Sequence, residues 1–182
     1  MKAEDLEQLK FPIGPFNSPE TINSDTITHW INEIEQFPDR LKRLTADLNE
    51  TQLNWQYRPE GWSIKQVVHH CVDSHMNSII RFKLALTEDN PKIRPYFEDR
   101  WAKLEVGSET DLSDSIQLLT ALHSKLGKLL RTISSEEMSR TFEHPEHGKQ
   151  FRIDETIGTY AWHGNHHLAH IEQAMQYKGA FN

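Results

Sequence analysis

Ile27-Thr-His-Trp-Ile-Asn-Glu-Ile-Glu-Gln-Phe-Pro-Asp-Arg-Leu-Lys-Arg-Leu-Thr-Ala-Asp-Leu48 decides the fold class. Ile27, Ile34, Leu41 and Leu48 recur every seven residues, and Trp30, Phe37 and Leu44 sit three residues after the first three. Apolar residues alternating at three and four lay a stripe along one face of an α-helix, the pattern of a helix packed in a bundle. The spacing predicts a helix over about 25–47. Pro38 should kink or divide it, because proline has no amide hydrogen to give to the preceding turn.

Three further segments read the same way. Ser63 followed by Gln66 fits a capping box, and Trp62 with Val67 fits the accompanying hydrophobic staple, so a second helix starts at 63 and runs to about Leu86–Glu88, before Asn90-Pro91. A third, about 114–133, is marked by Ile116, Leu119, Leu126, Leu130 and Ile133, with His123 in the same seam. A fourth runs over about 155–177 and stops before Gly179. Residues 1–23 read as an irregular arm, broken by Pro12, Gly14, Pro15 and Pro19. Residues 91–111 read as a long connection with a short helical turn near Trp101. Residues 134–154 are polar, and Thr141-Phe142 and Phe151-Arg-Ile153 flank His144-Pro-Glu-His-Gly148 as a small hairpin. The expectation is an all-α four-helix bundle forming a single domain over 1–182. The connection between the second and third helices is too long for a tight antiparallel hairpin, so a topology other than simple up-down-up-down is plausible.

Composition narrows the function. The 182 residues carry a net charge of −7 with the two signs interspersed and no basic stripe, which argues against a nucleic-acid partner. Met1-Lys-Ala-Glu-Asp-Leu-Glu lacks the apolar core of a signal peptide, and no apolar run approaches the ~20 residues of a membrane span. The single Cys71 rules out an internal disulfide and suits a reducing cytoplasm. Beside Val72 it reads as a small buried hydrophobe rather than a nucleophile. Apolar residues beyond the core seam leave room for a homodimer.

The chemistry concentrates in Tyr160-Ala-Trp-His-Gly-Asn-His-His-Leu-Ala-His170, with four histidines in eight residues. Residues four apart on a helix share a face, so His163 and His167 can aim at one point, as a zinc, nickel, copper or iron ion requires. On a helical wheel Ile157, Tyr160, Ala161, Gly164, Leu168, Ile171, Ala174 and Met175 form the core face. His167 falls near its edge, His163 slightly further round, and His170 is borderline. His166 points away and reads as a surface residue. A metalloprotease of the zincin type needs Glu directly after the first histidine, where this chain has Gly164. A third ligand must come from elsewhere. His75 lies in the middle of the second helix's apolar face, with His69 and His70 flanking it about equally, so periodicity does not choose between them; His123 is a further candidate, or a core histidine with a hydrogen-bond partner. His70, Asp73, Asn77 and Arg81 share one stripe, either a solvated face or the wall of a polar cavity.

Phe11-Pro-Ile-Gly14, Tyr57-Arg-Pro-Glu-Gly-Trp-Ser63, His70-x-x-Asp73-x-His75-x-Asn77-x-x-x-Arg81, and His144-Pro145 ahead of Trp162-His163-x-x-x-His167-x-x-His170 together resemble the YfiT-like branch of the DinB-like superfamily, over nearly the full length. The resemblance implies a four-helix bundle with a divalent metal held by three histidines. It selects His70 on the second helix and agrees with His163 and His167 on the fourth. It also implies either a metal-dependent hydrolase or a transferase that directs a low-molecular-weight thiol of the bacillithiol type at a small electrophile. Three neutral imidazoles leave metal positions open, which suits both. Zinc is the first choice of metal, with nickel, iron or manganese as alternatives; a small thiol would be the cosubstrate of the transferase. A hydrolase wants a carboxylate base, for which Asp73 and Glu155 are candidates, and neither is placed beside the ladder; this favours the thiol reading slightly, with acidic residues of the 91–111 or 134–154 connections as the alternative source of a base. Asn77, Arg81, Trp101 and Tyr160 are candidates to line a pocket. A metal-binding protein without catalysis is the reading from another class.

Overall fold

All four long amphipathic segments are helices. The computed structural model describes residues 3–182 except His147 in the 144–148 loop, with side chains described from residue 6 onward. In chain order the helices are α1 (Ala3–Lys10), α2 (Ser24–Thr45), α3 (Glu50–Leu53), α4 (Ile64–Thr87), α5 (Glu98–Trp101), α6 (Ser113–Arg131) and α7 (Ile153–Tyr177). Strands β1 (Thr141–His144) and β2 (Lys149–Arg152) form the expected hairpin before α7, pairing Phe142 with Phe151 and His144 with Lys149.

Local chemistry sets the boundaries. Asn23 caps α2 by accepting from the Thr26 amide at 2.8 Å. At the start of α4 the Ser63 amide donates to Gln66 Oε1 at 3.0 Å while Ser63 Oγ accepts from the Gln66 amide, the reciprocal box read from the sequence. Pro38 does not divide α2: the helix continues through it, and Pro38 is buried in line with Ile34, Phe37 and Leu41. Burial of this apolar face against two neighbours outweighs the one backbone bond that proline removes.

In the bundle α2 packs on α6 and α7, and α4 packs on the same two helices. Consecutive long helices α2 and α4 therefore stand diagonally, as do α6 and α7, which departs from sequential up-down-up-down neighbours. Helix α7 approaches α2 closely because residue 164 is glycine: a Cβ there would lie 2.9 Å from the Phe37 ring. One core cluster gathers Phe37, Leu41, Val68, Cys71, Leu119 and Ile171; a second gathers Ile34, Phe82, Leu126, Leu130, Ile153 and Ile157. Cys71 is fully buried, and burial pushes its thiol pKa up, consistent with an inert core residue.

Two expectations need correction. The N-terminal arm is not irregular throughout, since Ala3–Lys10 is helical. Its helix breakers begin only at Pro12, and eight residues too short to hold a helix alone are stabilised by docking: Leu9 is buried, and Gln173 Nε2 donates to the Leu9 carbonyl at 3.0 Å. The arm then turns through Gly14, at φ +74°, whose carbonyl accepts from Trp162 Nε1 at 3.0 Å. It thereby covers the face of α7 that a wheel assigns to solvent, and His166 is buried there rather than exposed, stacked on Trp162 at 4.5 Å with Phe11 at 5.8 Å. Among the described residues no helix is long and apolar enough to cross a membrane.

Candidate metal centre

Helix α7 presents His163 and His167 one turn apart, and their Nε2 atoms lie 3.2 Å from each other. Helix α4, packed alongside, brings His70 Nε2 to 3.3 Å from His163 Nε2. The three ligand atoms all fall within 4.8 Å of one another. Two imidazoles bound to one zinc at 2.0–2.1 Å with near-tetrahedral angles stand about 3.3–3.4 Å apart. The spacing fits a single small divalent ion, and so does the donor chemistry, because neutral imidazole nitrogens suit zinc.

The neighbouring histidines have other partners. His69 turns toward α6: its Nδ1 meets Ser115 Oγ at 2.8 Å and its Nε2 the Glu109 carbonyl at 2.9 Å. His123 is a core histidine outside the cluster, with Nδ1 2.6 Å from the Ile34 carbonyl and Nε2 2.6 Å from His75 Nδ1. His75 in turn places Nε2 2.9 Å from His163 Nδ1. His170 lies between His167 Nδ1, at 3.3 Å, and the Lys10 carbonyl, at 3.0 Å.

Burial sets the charge state of this cluster. Desolvation, assisted by neighbouring imidazoles, pulls the His70 pKa down to about 4 and those of His163 and His167 well below the usual histidine value. Burial also lowers His123 to about 4, opposed by its bond to Ile34. The rings are therefore neutral across the physiological range, the state in which a lone pair is available to a cation.

Beside His163 opens a cavity of about 220 Å³. Ser74, Arg81, Glu98, Glu146, Thr159 and Tyr160 supply its polar wall, and Phe142 and Phe151 of the hairpin an apolar one. Depressions of about 630 and 660 Å³ elsewhere contain no histidine, and one of about 360 Å³ contains only His29, which lies outside the cluster. Two of the five pocket candidates from the sequence line the cavity: Arg81 donates to the Tyr160 hydroxyl at 3.0 Å. Asp73, Asn77 and Trp101 are not on its wall. Asn77 Nδ2 is taken up by the Asp73 carbonyl at 2.8 Å, and Trp101 packs on Tyr96 with ring centroids 4.5 Å apart. The other candidate base, Glu155, is likewise absent from the lining. The acidic groups that do reach the cavity, Glu98 and Glu146, come from the two connections, where no spacing relates them to the ladder. The Glu143 backbone ties these connections together: its amide donates to the Pro91 carbonyl at 2.9 Å and its carbonyl accepts from the Ile93 amide at 3.0 Å.

A bundle with three convergent imidazoles from two adjacent helices, opening on a small cavity, defines a three-histidine helical-bundle protein. A model of the DinB superfamily matches residues 33–171, and the chain belongs to that family. It is 45% identical over 166 residues to a protein of Halalkalibacterium halodurans, covering 91% of this chain and 96% of the relative. It is 48% identical over 169 residues to one of Oceanobacillus iheyensis, covering 93% and 97%. Both relatives bear the name "Putative metal-dependent hydrolase". Among solved structures it superposes with a TM-score of 0.91 and 41% identity, over 94% of this chain and 98% of the other, on the protein described as "YfiT from Bacillus subtilis is a probable metal-dependent hydrolase with an unusual four-helix bundle topology".

Proposed function

We propose that the chain is a metal-dependent hydrolase of small molecules, with His70, His163 and His167 holding one divalent ion, zinc in the first instance, through their Nε2 atoms. The observation that carries this reading is the convergence of three buried or half-buried imidazoles at 3.2 and 3.3 Å beside a cavity of about 220 Å³. The hydrolase names of its relatives and of YfiT support it. Held by His70, His163 and His167, such an ion would supply Lewis-acid chemistry, lowering the pKa of a water toward neutrality and polarising a carbonyl.

The chain's own groups divide the remaining work. Arg81 Nε is buried without a hydrogen-bond partner among the described residues, while the same guanidinium holds the Tyr160 hydroxyl. A buried donor left unsatisfied costs free energy that a substrate acceptor would recover, so Arg81 is suited to a carboxylate or similar group. Glu98 is the candidate general base. Partial desolvation at the cavity raises its carboxyl pKa, against the lowering influence of Arg81, while the residue as a whole stays exposed at the cavity mouth. Phe142 and Phe151 form the apolar side of the cavity. Glu98 and Glu146 supply the carboxylates whose absence beside the ladder favoured a thiol transferase in the sequence.

Zinc-loaded protein should hydrolyse small esters or amides that carry a carboxylate, without added thiol. Glu98→Gln should lower kcat by about 10²–10⁴-fold at unchanged metal content, the range of a lost general base, whereas Arg81→Ala should mainly raise KM. Consumption of a haloaromatic or epoxide that requires a small thiol, with no ester or amide turnover, would replace this reading with the transferase.

A further inference from the structure

Pro38 and the end of α1 each leave one backbone carbonyl without its helical donor, and each of these carbonyls begins a chain of imidazoles that ends on a proposed metal ligand. The amide that would bond the Ile34 carbonyl belongs to residue 38, and proline has none. Ile34 O is taken instead by His123 Nδ1 at 2.6 Å. Lys10 is the last residue of α1, where carbonyls lack helical partners, and its oxygen is taken by His170 Nε2 at 3.0 Å.

A carbonyl oxygen can only accept, and this fixes the direction of every bond that follows. With His123 Nδ1 protonated and the ring neutral, Nε2 is bare and must accept, so the proton in its 2.6 Å contact sits on His75 Nδ1. His75 Nε2 is then bare and accepts from His163 Nδ1 across 2.9 Å. His163 is left with its lone pair on Nε2, the atom that faces His70 and His167. The second chain runs the same way: His170 donates through Nε2, accepts on Nδ1 from His167 Nδ1 at 3.3 Å, and leaves His167 Nε2 bare. Phe37 packs against the His75 and His123 rings at 5.3 and 5.5 Å, and Tyr57 stacks on His170 at 3.8 Å, which holds the rings in these orientations.

We infer that His75, His123 and His170 are positioning residues: anchored on the Ile34 and Lys10 carbonyls, they lock His163 and His167 in the Nδ1–H tautomer, so that both offer Nε2 to the metal. The inference rests on the ligand assignment above and adds the groups that select the ligating nitrogen. It also gives Pro38 a part in the site, as the residue that frees the anchoring carbonyl, and it makes the docked N-terminal helix part of the support of His167.

Long-range ¹H–¹⁵N correlation spectra of the metal-free protein read each tautomer directly. His75, His123, His163 and His167 should carry their proton on Nδ1 and His170 on Nε2; an Nε2 proton on His75, His123 or His163 overturns the inference. The second arm is zinc affinity by competition with a chromophoric chelator. His75→Leu should weaken zinc binding by about 10–100-fold, the usual effect of losing an outer partner of a ligating histidine. His75→Gln should recover most of it, because its side-chain oxygen can accept from His163 Nδ1. Equal losses in the two variants would mean that His75 only fills space. If the protein binds no zinc at all, the ligand assignment fails, and the metal-free spectra still decide the relay.

Discussion

Replacement of His70, His163 or His167 by Ala should take bound metal from one equivalent to none after purification and dialysis, while His69→Ala and His166→Ala keep the full equivalent. The contrast follows from where the rings point. His69 gives both nitrogens to α6 and the Glu109 carbonyl, and His166 is wedged between Trp162 and Phe11. Each proposed ligand places Nε2 in the common cluster. Losing one of three directly bonded imidazoles should exceed the 10–100-fold that loss of an outer partner costs. Helix content should persist, because two core clusters of apolar side chains remain. Elemental analysis with far-ultraviolet circular dichroism on the five variants checks this, and a site emptied by His69→Ala or His166→Ala would shift the assignment by one residue.

The second large effect is on stability. A metal that binds the folded chain at a hundredfold excess over its Kd stabilises it by about 2.7 kcal/mol. For a chain of 182 residues this corresponds to a fall in Tm of about 5–11 °C when metal is removed at pH 7.5. From the sequence, histidines with a pKa of about 6.5 would let protons compete as pH falls through that value, leaving a much smaller difference near pH 5. Burial moves that window. Burial holds folded His70 at a pKa of about 4 and folded His163 and His167 well below the usual histidine value, so they stay neutral as pH falls through 6.5, and the metal's contribution is lost only as pH approaches the folded value of His70, about 4. The metal-free fold behaves differently. Its unfolded chain takes up protons near pH 6.5 while folded His123 resists until about 4, so stability is present above 6.5 and drains away between these values. Calorimetry of dialysed metal-free and zinc-loaded protein at pH 7.5 and 5.5 should show a Tm difference at both, on a lower baseline at 5.5. Coincident melts at pH 7.5 would contradict a metal held in the bundle core.

Features set by local spacing were legible in the sequence. The heptads from Ile27 to Leu48 mark α2 to within one or two residues, Ser63 and Gln66 mark the start of α4, and the four-residue step from His163 to His167 puts two imidazoles together. Features set by a distant segment were not. His69 and His70 sit symmetrically about one apolar face, and what separates them is the Ser115 and Glu109 partners that draw His69 away. His166 looks solvated until an arm with no periodicity of its own folds over it. Glu98 and Glu146 reach the cavity from connections whose path no helical wheel describes. Pro38 reads as a kink, and only the folded chain brings His123 to the carbonyl it leaves free.

Anomalous diffraction from crystals of zinc-loaded protein tests the central claim most directly. It should give one strong peak inside the bundle, about 2.0–2.1 Å from Nε2 of His70, His163 and His167. A peak on a ring Nδ1, on His69, His75 or His166, or no peak in protein that carries one equivalent of zinc in solution, would contradict it.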